Sequence, residues 1–170
     1  MKPFAELLDR LLYTPQRNVK IALILDYFRS VPDPDRGWGL AALTGALSFA
    51  HAKPGLIREL VAARTDPVLF GWSYDFVGDL AETAALIWPE PPGAHAWPPL
   101  AGVVARLEAA RKNELPGIVA GWLDALDATG RWALLKLVTG GLRVGASARI
   151  AKLALAEYGG REPAEIEEVW

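Results

Sequence analysis

Val119-Ala120-Gly121-Trp122-Leu123-Asp124-Ala125-Leu126 places its large apolar residues at 119, 122, 123 and 126. That is the i, i+3, i+4, i+7 spacing that gathers side chains on one face of an α-helix. The spacing recurs outward in both directions: Phe4, Leu7, Leu8 and Leu11, then Ile21, Ile24, Leu25 and Phe28, then Leu100, Val103, Val104 and Leu107. No segment alternates apolar and polar residues long enough to argue for a sheet, so the sequence predicts an all-α fold. Thr14-Pro15 divides the first two helices, and Val31-Pro32-Asp33-Pro34-Asp35 closes the second. Asp79 and Glu82 form an Asp-x-x-Glu capping box ahead of Thr83–Trp88. Pro89-Glu90-Pro91-Pro92-Gly93-Ala94-His95-Ala96-Trp97-Pro98-Pro99 cannot be helical. It is either a long surface loop or the joint between two helical halves, about 1–88 and 100–160.

At 170 residues, 52% of them apolar, the chain is long enough for one domain, 1–170, with a sizeable core. No uncharged apolar run reaches the roughly 18 residues that a membrane span needs. Met1-Lys2-Pro3-Phe4 leads straight into a patterned segment containing Glu6, Asp9 and Arg10, which is neither a signal nor a transit peptide. The absence of cysteine removes disulfides and thiolate metal sites. A cytoplasmic monomer is the expectation.

Net charge is only −2, but its distribution is uneven. No acid lies between Asp127 and Glu157, where Arg131, Lys136, Arg143, Arg149 and Lys152 fall. None lies between Asp35 and Glu59, which carries Arg36, His51, Lys53 and Arg58. Two stretches are thereby left to meet an anion, although chance segregation in a short chain gives the same pattern. The stretches also match each other weakly. Aligning 36–50 with 131–145 pairs Arg36 with Arg131, Leu40 with Leu135, Thr44 with Thr139, Gly45 with Gly140 and Leu47 with Leu142. Each copy reads helix, Thr-Gly, short turn, helix, which predicts two pseudo-repeated halves.

The second copy carries the most chemistry. In Thr139-Gly140-Gly141-Leu142-Arg143-Val144-Gly145-Ala146-Ser147, paired glycines let the backbone approach another surface without Cβ interference. Gly145 permits a second bend, and Ser147 can cap the next helix, whose free N–H groups favour phosphate. Arg143, Arg149 and Lys152 add positive charge. Backbone amides with a few basic side chains hold a sugar-phosphate backbone without reading bases. A plain helix–helix connection with glycine as C-cap fits the same residues.

Other candidates are plainer. Asp75, Asp79 and Glu82 share a helical face and suggest a carboxylate metal site, unless Asp79 and Glu82 are capping residues. His51 and His95 sit in Pro/Ala-rich sequence with no fixed partner. The seven tryptophans read as core, with Trp122 and Trp132 on apolar faces and Trp97 and Trp170 the exposed ones.

Leu134-Leu135-Lys136-Leu137-Val138-Thr139-Gly140-Gly141-Leu142-Arg143-Val144-Gly145-Ala146-Ser147, followed by the Ala-rich 148–156, resembles the signature ending the N-terminal DNA-binding domain of ATP-dependent DNA ligases. Val77-Gly78-Asp79-Leu80-Ala81-Glu82 is similar to that family's Gly-Asp-Leu-Gly-Glu element, with Ala81 in place of its second glycine, and Phe4–Tyr27 is similar to its first helices. The likeness covers nearly the whole chain and points to the three-domain bacterial type. It implies a helical domain that straddles the minor groove beside a nick, contacts phosphates with little sequence preference, and holds nicked double-stranded DNA against the catalytic domains of the same ligase chain. It places Gly140, Gly141, Arg143, Gly145, Ser147, Arg149 and Lys152 at the phosphate-contacting turn. By the same likeness Thr44, Gly45, His51 and Lys53 would be the opposite side of the clamp, where Ser48, Ala50 and His51 replace a more glycine-rich stretch.

The family's adenylated lysine lies in Lys-x-Asp-Gly, and none of the six lysines here has that context. No P-loop is present either. The expectation is a non-catalytic domain with no cofactor or metal of its own, ATP and Mg²⁺ belonging to the parent enzyme. Glu162–Trp170 starts a helix and stops without a C-cap, as in a fragment cut before the catalytic domain. The alternative is a helical scaffold that binds another protein on the concave surface between its halves. An independent hydrolase lacks any nucleophile–base constellation. Gly145→Val is expected to damage binding more than folding.

Overall fold

The computed structural model describes residues 1–90, 92–93 and 95–170. Among these, eleven helices and no strand are found: α1 (Lys2–Leu12), α2 (Arg17–Ser30), α3 (Asp35–Leu43), α4 (Pro54–Arg64), α5 (Pro67–Val77), α6 (Leu80–Ile87), α7 (Leu100–Ala109), α8 (Leu115–Ala125), α9 (Ala128–Thr139), α10 (Ala148–Gly159) and α11 (Pro163–Val169). The predicted apolar stripes are the buried ones. Phe4, Leu7, Leu8 and Leu11 line the inner face of α1, and Leu100, Val103, Val104 and Leu107 that of α7. The described part of 89–99 is free of helix; Pro91 and Ala94 lie outside the described residues.

α9 is the centre of the packing. Every residue from Gly130 to Val138 is buried, because α1, α6 and α8 all pack against it. α10 lies along α2, α3 meets α7 and α4 meets α8, so elements from both sides of the Pro-rich segment share one hydrophobic core. Two contacts bind that segment in place. The Asp35 carboxylate accepts from the Leu100 and Ala101 N–H groups at 3.1 and 2.8 Å, capping α7 from the start of α3. Trp97 lies against Gly130, where a Cβ would come within 2.7 Å of the indole ring. Trp97 is therefore half-buried rather than exposed as expected. Trp72 on α5 is the exposed tryptophan that the sequence pattern did not single out.

A helix buried on all sides has to neutralise its charges internally, since an unpaired buried ion is costly. α9 carries two. Arg131, 1% exposed, donates from Nε to the Leu123 carbonyl (2.7 Å) and from Nη1 to Glu90 (2.9 Å). Lys136 Nζ lies 2.7 Å from Asp79 Oδ2. Asp79 meanwhile caps α6, its Oδ1 accepting from the Glu82 N–H at 2.8 Å. The capping box predicted there is thus formed on the Asp79 side, and the second carboxylate oxygen serves α9. Arg131 and Lys136, counted in the sequence among cations available to an anion, are not available.

Burial alone would raise the Asp79 carboxyl pKa. The hydrogen bond from Lys136, the backbone N–H groups of Glu82 and Ala81, and the Lys136 charge outweigh it and hold it below its ordinary 3.8. A depressed folded-state value stabilises the fold above the unfolded pKa, and that stability is lost as pH falls through the folded one. Asp79→Ala strands the buried Lys136 ammonium and uncaps α6, and should cost about 3 kcal/mol or more in urea unfolding. Lys136→Met leaves only a partly solvated carboxylate that keeps its capping role, and should cost about 1 kcal/mol. The gap between wild type and Asp79→Asn should close below about pH 4.

Candidate nucleic-acid interface

The interface candidate is built where α9 stops. Thr139 Oγ1 donates to the Leu135 carbonyl at 2.7 Å, and Gly140 turns left-handed at φ +70, its N–H reaching the Leu137 carbonyl. Side chains then alternate. Leu142 packs on the core, Arg143 points to solvent, Val144 is buried, Gly145 is exposed, Ala146 packs inward and Ser147 is exposed. Burial of Val144 fixes the turn, and the outward positions hold Arg143, Gly145 and Ser147. Arg143 has φ +43, a conformation that costs a non-glycine residue about 1–2 kcal/mol. Ser147 caps α10, its Oγ accepting from the Ile150 N–H at 3.4 Å, and Arg149 is exposed on that helix's first turn. Gly141 has no positive φ, so only Gly140 and Gly145 need to be glycine for their backbone conformation.

The α3–α4 connection has the same local chemistry. Thr44 Oγ1 donates to the Leu40 carbonyl at 2.9 Å, and Gly45 turns at φ +75 with its N–H on the Ala42 carbonyl. Phe49 and Ala52 are buried and seat the loop, while Ser48, His51 and Lys53 remain exposed. Leu47, Ser48, Phe49, Ala52, Lys53 and Pro54 line one small cleft together with Val138, Thr139 and Gly140. The loop that follows the Thr44-Gly45 turn therefore lies beside the Thr139-Gly140 end of α9. The reason is the burial of Phe49 and Ala52, which draws the first loop onto the end of α9.

The basic residues divide into two groups. Among the described residues, Lys53, Arg143 and Arg149 pair with no carboxylate. Lys152 does: Glu167 of α11 lies 2.8 Å from its Nζ, and the Trp170 ring centroid lies 4.6 Å away. Sequence reasoning also missed a residue. Lys20, on α2, donates from Nζ to the Gly145 carbonyl. Nothing local in the sequence signals a contact between positions so far apart, which arises because α10 packs along α2.

The plainer candidates resolve simply. Asp79 is occupied by its cap and by Lys136, and among the described residues no three acidic or histidine side chains gather to hold a metal. His95 faces Glu90 at 3.1 Å. Among the described residues no helix is long and apolar enough to cross a membrane.

No family model matches the chain, and no curated protein sequence matches it.

The geometry revises the expectation for Gly145. A Cβ there would sit 2.7 Å from Lys20 Nζ, on a backbone at φ +70 that side chains rarely adopt. Gly145→Val should therefore lower thermal stability as well as displace Lys20. Lys20→Met should instead leave global unfolding within about 1 kcal/mol of wild type and raise amide hydrogen exchange from Val144 to Ser147.

Proposed function

We propose that this chain is the N-terminal DNA-binding domain of an ATP-dependent DNA ligase. It holds nicked double-stranded DNA by the sugar-phosphate backbone, without sequence preference, for catalytic domains of the same enzyme. The observation that carries this reading is that the loop following the Thr44-Gly45 turn and the Thr139-Gly140 end of α9, far apart in sequence, line one cleft that includes the exposed, unpaired Lys53, with the exposed Arg143 three residues beyond Gly140. Left-handed glycines expose backbone to close approach, and phosphate contacts need donors and positive charge rather than shaped base-reading side chains. The likeness to the ligase signature supports the assignment. Its two motifs, Val77–Glu82 and Leu134–Ser147, are joined here by the Asp79–Lys136 ion pair, so one element braces the helix that presents the other. Adenylation and sealing are assigned to domains outside this chain, whose lysines lack the Lys-x-Asp-Gly context.

A second reading, a scaffold for another protein, has its own support on a different face. Val68, Leu69, Trp72 and Phe76 of α5 are exposed, Phe76 to 92%, and an exposed apolar stripe of this kind marks an interaction surface. Salt separates the readings. Phosphate binding releases counterions and weakens linearly with log salt, whereas an apolar contact does not.

Fluorescence anisotropy with a nicked duplex across a salt series should show sequence-independent binding. Arg143→Ala should weaken it and reduce the slope by roughly one unit. Arg143→Gly tests the same residue with opposite signs. It relieves the positive φ, so thermal stability should hold or rise by up to about 1 kcal/mol, while binding falls as in Arg143→Ala. Loss of binding by Trp72→Ala or Phe76→Ala, with Arg143 variants unaffected, would favour the protein-scaffold reading.

A further inference from the structure

α10 displays Arg149 and Lys152 three residues apart on one helical face, yet the two differ in their surroundings. Arg149 is exposed and unpaired among the described residues, whereas the Lys152 side chain is only 15% exposed. α11 accounts for the difference. Its Glu167 carboxylate lies 2.8 Å from Lys152 Nζ, and the Trp170 ring stands 4.6 Å from the same nitrogen. Arg149, Lys152 and Leu153 on one side and Pro163, Ala164 and Glu167 on the other line a narrow groove between the helices. No acid from the 128–156 stretch could neutralise Lys152, because that stretch contains none. The neutralising charge is supplied by α11.

α11 is also lightly anchored. It has seven residues, and Ile166 is its one buried side chain. Glu168 and Val169 are exposed, and the helix carries Glu165, Glu167 and Glu168. A short acidic helix held by Ile166, the Lys152–Glu167 ion pair and the Trp170 ring on Lys152 is the kind of element that a polyanion can displace.

We propose that α11 is an acidic cover on the phosphate surface, competing with DNA for Lys152, so that DNA binding and α11 docking oppose each other. This rests on the DNA reading above. With α11 docked, phosphate meets Lys53, Arg143 and Arg149. With α11 displaced, Lys152 joins them. The device regulates affinity: whatever draws α11 away, including a neighbouring part of a longer chain, tightens the hold on the duplex.

The test is anisotropy on a nicked duplex at a series of salt concentrations, using wild type, Glu167→Gln, Glu168→Gln, Lys152→Met and the Lys152→Met/Glu167→Gln double variant. Glu167→Gln keeps the size and helix preference of the side chain but removes the competing charge. It should tighten binding about 3- to 10-fold at low salt and steepen the log–log salt slope by up to about 0.9, the value for one added phosphate contact. Glu168→Gln, which removes the same charge one residue along without touching Lys152, should change affinity less than 2-fold (roughly, for a solvated charge). In the double variant the gain should vanish, a non-additivity that marks the two residues as one unit. If Glu167→Gln matches Glu168→Gln, or if its gain persists without Lys152, the cover does not exist. Wild type that binds and depends on Arg143 while Glu167→Gln has no effect would overturn this proposal alone. Absence of binding by every variant would overturn the DNA reading with it.

Discussion

The burial of α9 on all sides is the constraint on which the other features depend. Its residues from Gly130 to Val138 touch no solvent surface of consequence, so Arg131 and Lys136 had to find partners inside the protein. Those partners, Glu90 and Asp79, lie 41 and 57 residues before Arg131 and Lys136 in the chain. Each is tied to a further element: Glu90 to the Pro-rich connection and Asp79 to the start of α6. α9 is thereby tied near both of its ends, at Arg131 and at Lys136, and the turn that follows leaves a fixed base. A backbone-presenting surface needs that rigidity, because main-chain donors have no side-chain freedom with which to correct their aim.

Much of the fold was legible in the sequence. The i, i+3, i+4, i+7 stripes of α1, α7 and α8 became buried faces, and Asp79 and Ser147 became caps, because such features depend on nearest neighbours along the chain. The site was legible only in part. An acid-free stretch of sequence is not an acid-free surface: Arg131, Lys136 and Lys152 are each paired with a carboxylate from another element. Lys20 was invisible for the same reason, since its bond to the Gly145 carbonyl exists only once α2 and α10 pack together. The glycine pattern overstated Gly141 and gave no sign that Arg143 itself adopts a positive φ.

What remains exposed is modest in charge and rich in backbone. Lys53, Arg143 and Arg149 are few beside a net charge of −2, so a hold on a polyanion through them would be local and moderate. Internal neutralisation of three of the basic residues in the 128–156 stretch sharpens this economy. Two of them, Arg131 and Lys136, are fixed in the core. The third, Lys152, pairs with Glu167 of a short peripheral helix.

The central claim is that the two Thr-Gly turns act together as a DNA-backbone surface. The most direct measurement is a map of amide chemical shifts during titration with a nicked duplex at low salt. The account predicts that perturbations concentrate at Ser48–Lys53 and Gly140–Arg149, and that they fade together as salt rises. Perturbations centred on Val68–Phe76 of α5, with the two turns unmoved, would contradict it.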